Sequence, residues 1–181
     1  MTDRIRAVIL CEDRQQEVFA RTFLETCGIR PVRVRINPAG RGAGDQFVRV
    51  NYPAEARTFR RKFPAQPDTR LVVLMDADNL SIRERFQQLD NALQQNDLPT
   101  RQPQERIGIF VPKRNIETWI HYLKGLVVNE DAIYPRLNRE SECKTDVEAL
   151  ARNRRAPLPE NAPPSMRAAC LELPRVLDEN A

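Results

Sequence analysis

The chain has 181 residues, 41% of them hydrophobic and 30% charged, which suits one domain with a small appendage and a sizeable core. No apolar run approaches the ~20 residues of a membrane span. The charged opening MTDRIRAVIL carries no secretory pattern, so a soluble cytoplasmic protein without membrane partners is expected. A net charge of +4 and a pI near 9.1 permit nucleic acid as a partner without requiring it, and only four of the 29 basic residues are lysine. Four widely spaced cysteines, no CxxC pair and a single histidine, His121, argue against the usual zinc ligand set and for reduced thiols.

IRAVILC (5–11) is a short apolar run bounded by charge, the pattern of a buried parallel strand. Val18, Phe19, Phe23 and Leu24 then recur at helical spacing until Gly28. VRVRI (32–36) alternates as a second strand, followed by PAGRGAGDQ, a flexible loop with three glycines and Arg41. YPAEARTFRRKF (52–63) predicts a basic helix with Pro53 in its first turn. LVVLMD (71–76) predicts the third strand, and Ser81 with Glu84 forms a capping box for a helix over 81–96. IGIFV (107–111) is the fourth strand. Asn115 then caps a helix whose apolar stripe is Ile116, Trp119, Ile120 and Leu123, ended by Gly125. Alternating strands and helices predict a three-layer α/β domain with a mainly parallel sheet of about four strands, over residues 1–128.

Residues 129–181 read as a short helical C-terminal appendage. Thr145 and Glu148 suggest a capping box, and a last helix, SMRAACLEL, is ended or kinked by Pro174. Met166, Ala169, Cys170 and Leu173 give it an apolar face, which can pack internally or across a homodimer.

Functional side chains of an open α/β sheet gather at the carboxyl ends of its strands. Here the first strand is followed by Glu12 and Asp13, with Glu17 a turn later. The third ends in Asp76 and Asp78, placed by strand alternation on one face, and the fourth leads into Lys113, Arg114 and Glu117. Any one of these acids reads as a solvated loop residue or a helix N-terminal charge, and Asp13 is read that way. As a set, Glu12, Glu17, Asp76, Asp78 and Glu117 are hard oxygen ligands suited to Mg²⁺ or Mn²⁺. Such an ion activates water and stabilises charge on a phosphodiester, with Lys113 or Arg114 on a phosphate oxygen. Arg41, Arg57, Arg60, Arg61 and Lys62 are candidates for tracking a nucleic-acid backbone, or form a solvated helix face. Trp119 reads as core and His121 as a surface residue.

The ordered set ILCEDRQQEVF, VVLMDADN and VPKRNIETWI resembles the Toprim domain of topoisomerases, primases and overcoming-lysogenization-defect (OLD) nucleases. The resemblance is closer to small Toprim-like bacterial proteins often encoded beside an ABC-type ATPase in phage-defence loci, and it covers roughly residues 5–125. It rests on Glu12, the Asp76/Asp78 pair and the Glu117-x-Trp119 signature. It implies a Toprim-like fold and a magnesium-dependent nuclease acting on DNA or RNA. Its catalytic residues would be Glu12, Asp76, Asp78, Glu117 and Lys113, with an ABC/AAA-type ATPase as partner. The chain departs from the family at Asp13, where glycine is usual, and at Gln16, where the nuclease branch often has its second acid. Those departures favour an alternative, a catalytically degenerate module binding an ATPase or nucleic acid. A second alternative is a phosphoacceptor receiver built on Glu12, Asp13, Asp76 and Lys113. No GxxxxGK[ST] motif occurs, so ATP dependence would belong to a partner.

Overall fold

The computed structural model describes residues 6–39 and 42–177, so Arg41 lies outside the described residues. Four parallel strands, β1 (Ala7–Cys11), β2 (Val32–Ile36), β3 (Arg70–Leu74) and β4 (Ile107–Phe110), form one sheet in the order β2-β1-β3-β4. Ala7 is in register with both Val32 and Arg70, and Leu71 with Ile107. Side chains alternate between two buried faces: Ile9, Cys11, Val72 and Leu74 on one, Leu10, Leu71, Val73, Ile107 and Ile109 on the other. Burial on both sides is why β1, β3 and β4 read as unbroken apolar runs.

Helix α1 (Arg14–Thr26) packs on β1 and β2, and α2 (Gly44–Lys62) covers the opposite face with α3 (Ile82–Gln94). The α/β three-layer expectation is therefore met. The chain leaves β1 for β2 in one direction, then crosses back over β1 to β3. That reversal is the topological switch point of the sheet, and it lies between the C-terminal ends of β1 and β3.

Several local expectations are corrected. Helix α2 begins at Gly44 rather than after Asn51, so the C-terminal part of the predicted glycine loop is helical and Pro53 sits mid-helix. Val48, Tyr52, Ala56 and Phe59 form a continuous buried stripe, and this burial carries the helix through the proline. Strand β3 ends at Leu74, two residues before Asp76. Met75 N–H and Ala77 N–H still donate to Phe110 O and Pro112 O at 3.2 and 2.8 Å. At Asp78, however, φ turns to 53°, and an antiparallel bridge forms with Arg114, whose φ is 64°. Asp76 and Asp78 thus do not lie on one face of a regular strand. In α4 (Ile116–Leu123), Asn115 occupies the cap position without a side-chain bond to the helix backbone.

The C-terminal elements lie against the α1 face of the sheet. After a 3-10 turn at Glu140–Cys143 come α5 (Lys144–Arg152), α6 (Pro164–Cys170) and α7 (Leu173–Val176). Thr145 falls inside α5 and caps nothing, because the 3-10 turn runs directly into the helix. Pro174 opens α7 instead of only ending α6, as its fixed φ suits a first turn. Cys143, Val147, Met166 and Val176 share one core with Ile9, Phe19 and Trp119. Trp119 is buried as expected, 6.0 Å from Phe19 between ring centroids, and donates Nε1–H to Ser165 Oγ at 2.8 Å. His121 is half-buried against Tyr134 rather than on the open surface, because the 126–134 segment folds back over α4. Among the described residues no helix is long and apolar enough to cross a membrane.

Candidate metal centre

At the switch point the segments that follow β1 and β3 bring Glu12 and Asp76 together. Glu12, directly after β1, accepts the backbone N–H of Asp76 on Oε1 at 2.8 Å. Gly44 opens α2 so close that a Cβ there would stand 2.9 Å from Glu12 Oε2, so the helix start is fitted around this carboxylate. Gln16, fully buried, takes Glu12 N–H on its Oε1 at 2.9 Å and donates Nε2–H to Asp76 Oδ1 at 2.9 Å. Asp13 caps α1 by accepting Gln16 N–H at 3.0 Å, which is the helix-terminal role read from the sequence.

Glu117, in the first turn of α4, is 2% exposed, and its Oε1 has no hydrogen-bond partner among the described residues. Asp76 is 8% exposed, and the group bonded to its Oδ1 is the neutral Gln16 amide. Neither Asp76 nor Glu117 forms an ion pair among the described residues. Burial pushes the Glu12 carboxyl up to about 8, with the charges of Asp78 and Asp45 adding to it against the Asp76 N–H bond. Burial likewise raises Asp76, followed by the charges of Glu12 and Asp13, and it raises Glu117, followed by Asp13.

The remaining candidates are held by other partners. Asp78 is mostly exposed and is held by Arg85, whose NH2 lies 2.8 Å from its Oδ2. Glu17 is clasped by Arg14 and Arg21 along α1, at 2.5 and 3.2 Å. Lys113 Nζ donates to Leu80 O at 2.6 Å, and Arg114 bonds Asn79 and Asp131 O, so both cations are spent on the neighbouring loops. Arg60 pairs with Glu105 and caps the carbonyls of Pro99 and Thr100, and Arg57 bonds Asn96 O. Arg57, Arg60, Arg61 and Lys62 occupy the C-terminal end of α2. At about 1.5 Å per residue, this 19-residue helix holds them roughly 20–27 Å from the acids at its start.

Two participants were not read from the sequence. Asp45 lay in what looked like loop, although an acid after glycine at a helix start is a usable signal. Arg85 gave no signal, because its meeting with Asp78 depends on the turn between them.

No family model matches this sequence, and no curated protein or solved structure matches the chain.

Glu12, Asp76 and Glu117 offer the hard oxygen donors that a divalent cation takes. Among the described residues no three such side chains stand together at ligand spacing. Glu117 Oε1 has no hydrogen-bond partner among the described residues, and burial is the first cause that raises all three carboxyls. As hard carboxylate oxygens they would suit Mg²⁺ or Mn²⁺ in kind.

Proposed function

We propose that this chain is a Toprim-like, metal-dependent phosphodiesterase that cleaves nucleic acid, in a phage-defence setting with an ATPase partner. The observation that carries the reading is the pairing of acids across the switch point: Glu12 is fastened to the backbone of Asp76, and the buried Glu117, whose Oε1 has no hydrogen-bond partner among the described residues, adds its charge to that at Asp76. Glu12, Asp76 and Glu117 would hold Mg²⁺ or Mn²⁺. When bound, such an ion activates water and offsets charge developing on a phosphodiester. Gln16 fixes the orientation of Asp76, and the start of α2 at Gly44 fixes that of Glu12. The carboxylates must shed their protons for the site to load, so activity should rise with pH through the range near 8 in which Glu12 titrates. Lys113 or Arg114 would have to leave its loop partners, Leu80 O for Lys113 and Asn79 and Asp131 O for Arg114, to meet a substrate phosphate.

A second reading, a binding module that has lost its chemistry, is favoured by one observation. Arg85 neutralises Asp78, so that carboxylate is already satisfied without metal. The receiver reading loses its lysine, since Lys113 Nζ sits on Leu80 O.

The test is an assay of single- and double-stranded DNA and RNA with Mg²⁺ or Mn²⁺, comparing wild type with Asp76→Asn, alone and with the neighbouring ATPase. Metal-dependent cleavage lost in the variant supports the enzyme. Nucleic-acid or ATPase binding that survives in Asp76→Asn, with no cleavage by either protein, supports the module.

A further inference from the structure

An apolar cavity of about 80 Å³ lies between the α1 face of the sheet and the C-terminal elements. Val72, Leu74 and Phe110 of the sheet line one side, with Phe19 from α1, Trp119 from α4 and Met166 from α6 around them. The gap has a cause in the sequence. Residues 153–163, between α5 and α6, form neither helix nor strand, and Pro157, Pro159 and Pro163 oppose a continuous helix there. The short helices α6 and α7 therefore do not fill the space above the sheet.

By volume such a space has room for water, which needs only about 10–15 Å³, but a buried water also needs several polar partners. The walls offer few. Trp119 gives Nε1–H to Ser165 Oγ at 2.8 Å, and Asn153 gives Nδ2–H to Ala149 O at 3.0 Å. An alkyl group is the better filler, because it restores the dispersion contacts that a void forfeits. The cavity adjoins a wider groove of about 520 Å³, and Arg154, Ala156, Leu158, Cys170 and Leu173 line both. Arg155 and Arg167 also line the groove, and among the described residues no acid does. Three guanidinium groups thus stand at the outer end of an apolar chamber. Arg154 is fixed there by NH1 to Ala151 O at 3.0 Å, and Arg167 by NH1 to Glu160 O.

We propose that cavity and groove together bind an unbranched fatty carboxylate, its alkyl tail among Phe19, Trp119 and Met166 and its head among Arg154, Arg155 and Arg167. The inference goes beyond the metal-dependent reading and does not rest on it. Burial of the tail supplies affinity, and guanidinium forks, which match a carboxylate in two parallel bonds, select the head. The charged head stays in the open groove, where water still reaches it, so no unpaired charge is buried. A neutral alcohol of the same length gains the first contribution and forgoes the second.

Trp119 is the only tryptophan of the chain, so its fluorescence reports what enters the cavity. The full chain is titrated with ω-bromoundecanoate, whose bromine quenches an indole on contact, and with ω-bromoundecanol, both below their micelle concentrations. The variants are Ala169→Phe, which fills the cavity, Ala156→Phe, which narrows its mouth from an exposed position, and Arg155→Gln/Arg167→Gln, both exposed. Circular dichroism checks folding of each, and Ala156→Phe serves if Ala169→Phe does not fold. The expected result is saturable quenching of wild type by the carboxylate, abolished by the cavity-filling substitution and weakened by the narrowed mouth. The double arginine variant should bind the carboxylate about tenfold more weakly and the alcohol within about twofold of wild type. No saturable quenching of wild type overturns the proposal. So does quenching that both phenylalanine variants leave unchanged, which puts the ligand elsewhere. Equal affinity of wild type for alcohol and carboxylate, or an unchanged carboxylate affinity in the arginine variant, overturns it as well.

Discussion

Glu12 Oε1 accepts the backbone N–H of Asp76 at 2.8 Å, so the acid that follows β1 is fastened to the acid that follows β3. The bond spans the switch point of the sheet and holds the Glu12 carboxylate against the backbone of Asp76. Burial, and after it the charge of Glu12, raises the proton affinity of Asp76.

This coupling makes metal-free stability depend on pH. Glu12, Asp76 and Glu117 all bind protons more tightly folded than unfolded, so their contribution is complete below the ordinary carboxyl range. It is lost as pH rises through the folded values, about 8 for Glu12. Thermal melting in a chelator should therefore give a Tm that falls between pH 5 and pH 8.5, and Glu12→Gln should flatten the fall. Added Mn²⁺ should raise Tm far more at pH 8 than at pH 5, because protons compete with the ion. A Tm that rises across that interval without metal would contradict the picture.

Gln16→Glu places a fourth acid against Asp76 at a fully buried position. Metal-free stability should drop by about 1–3 kcal/mol, and Mn²⁺ should restore it with higher affinity than in wild type. Chemical denaturation with and without metal checks both halves. A loss that metal leaves uncorrected would separate Gln16 from the site.

Arg60 is held by Glu105 at 2.6 Å and by two carbonyls, at the end of α2 remote from the acids. Arg60→Ala should cost about 1–2 kcal/mol of stability and leave nucleic-acid affinity within about twofold. A tenfold loss of affinity with unchanged stability would restore Arg60 as a phosphate contact.

The fold was largely legible because strands buried on both faces and helices with one apolar stripe leave distinct periodicities. VRVRI and the Ser81–Glu84 box are placed as read. The start of α2 was not legible. Its local signals, three glycines and a proline, oppose a helix, and only tertiary burial of Val48 and Tyr52 decides for one. The site was legible as a list of acids at strand ends, not as an arrangement. Strand order, which makes β1 and β3 neighbours, is invisible in periodicity. The pairing of Asp78 with Arg85 depends on a left-handed residue that the assumption of a regular strand could not anticipate.

Glu172 fastens the C-terminal segment to the sheet. It accepts Ile109 N–H from β4 at 2.9 Å and pairs with Arg101. Glu172→Ala should cost about 2–3 kcal/mol, since it strands a strand N–H and a mostly buried guanidinium, which corresponds to a Tm lower by about 5–10 °C. Glu172→Gln, which can still accept Ile109 N–H, should cost less. Equal stability of wild type and Glu172→Ala would show that the segment contributes nothing to the domain.

The central claim is that the crevice between β1 and β3 binds a divalent cation. Calorimetric titration of Mn²⁺ and Mg²⁺ into wild type, Asp76→Asn and Glu117→Gln tests it most directly. Binding in wild type that is lost in Asp76→Asn and weakened at least tenfold in Glu117→Gln is the predicted result. Wild-type binding that both substitutions leave unchanged, or no binding at pH 8 even with nucleic acid present, would contradict it.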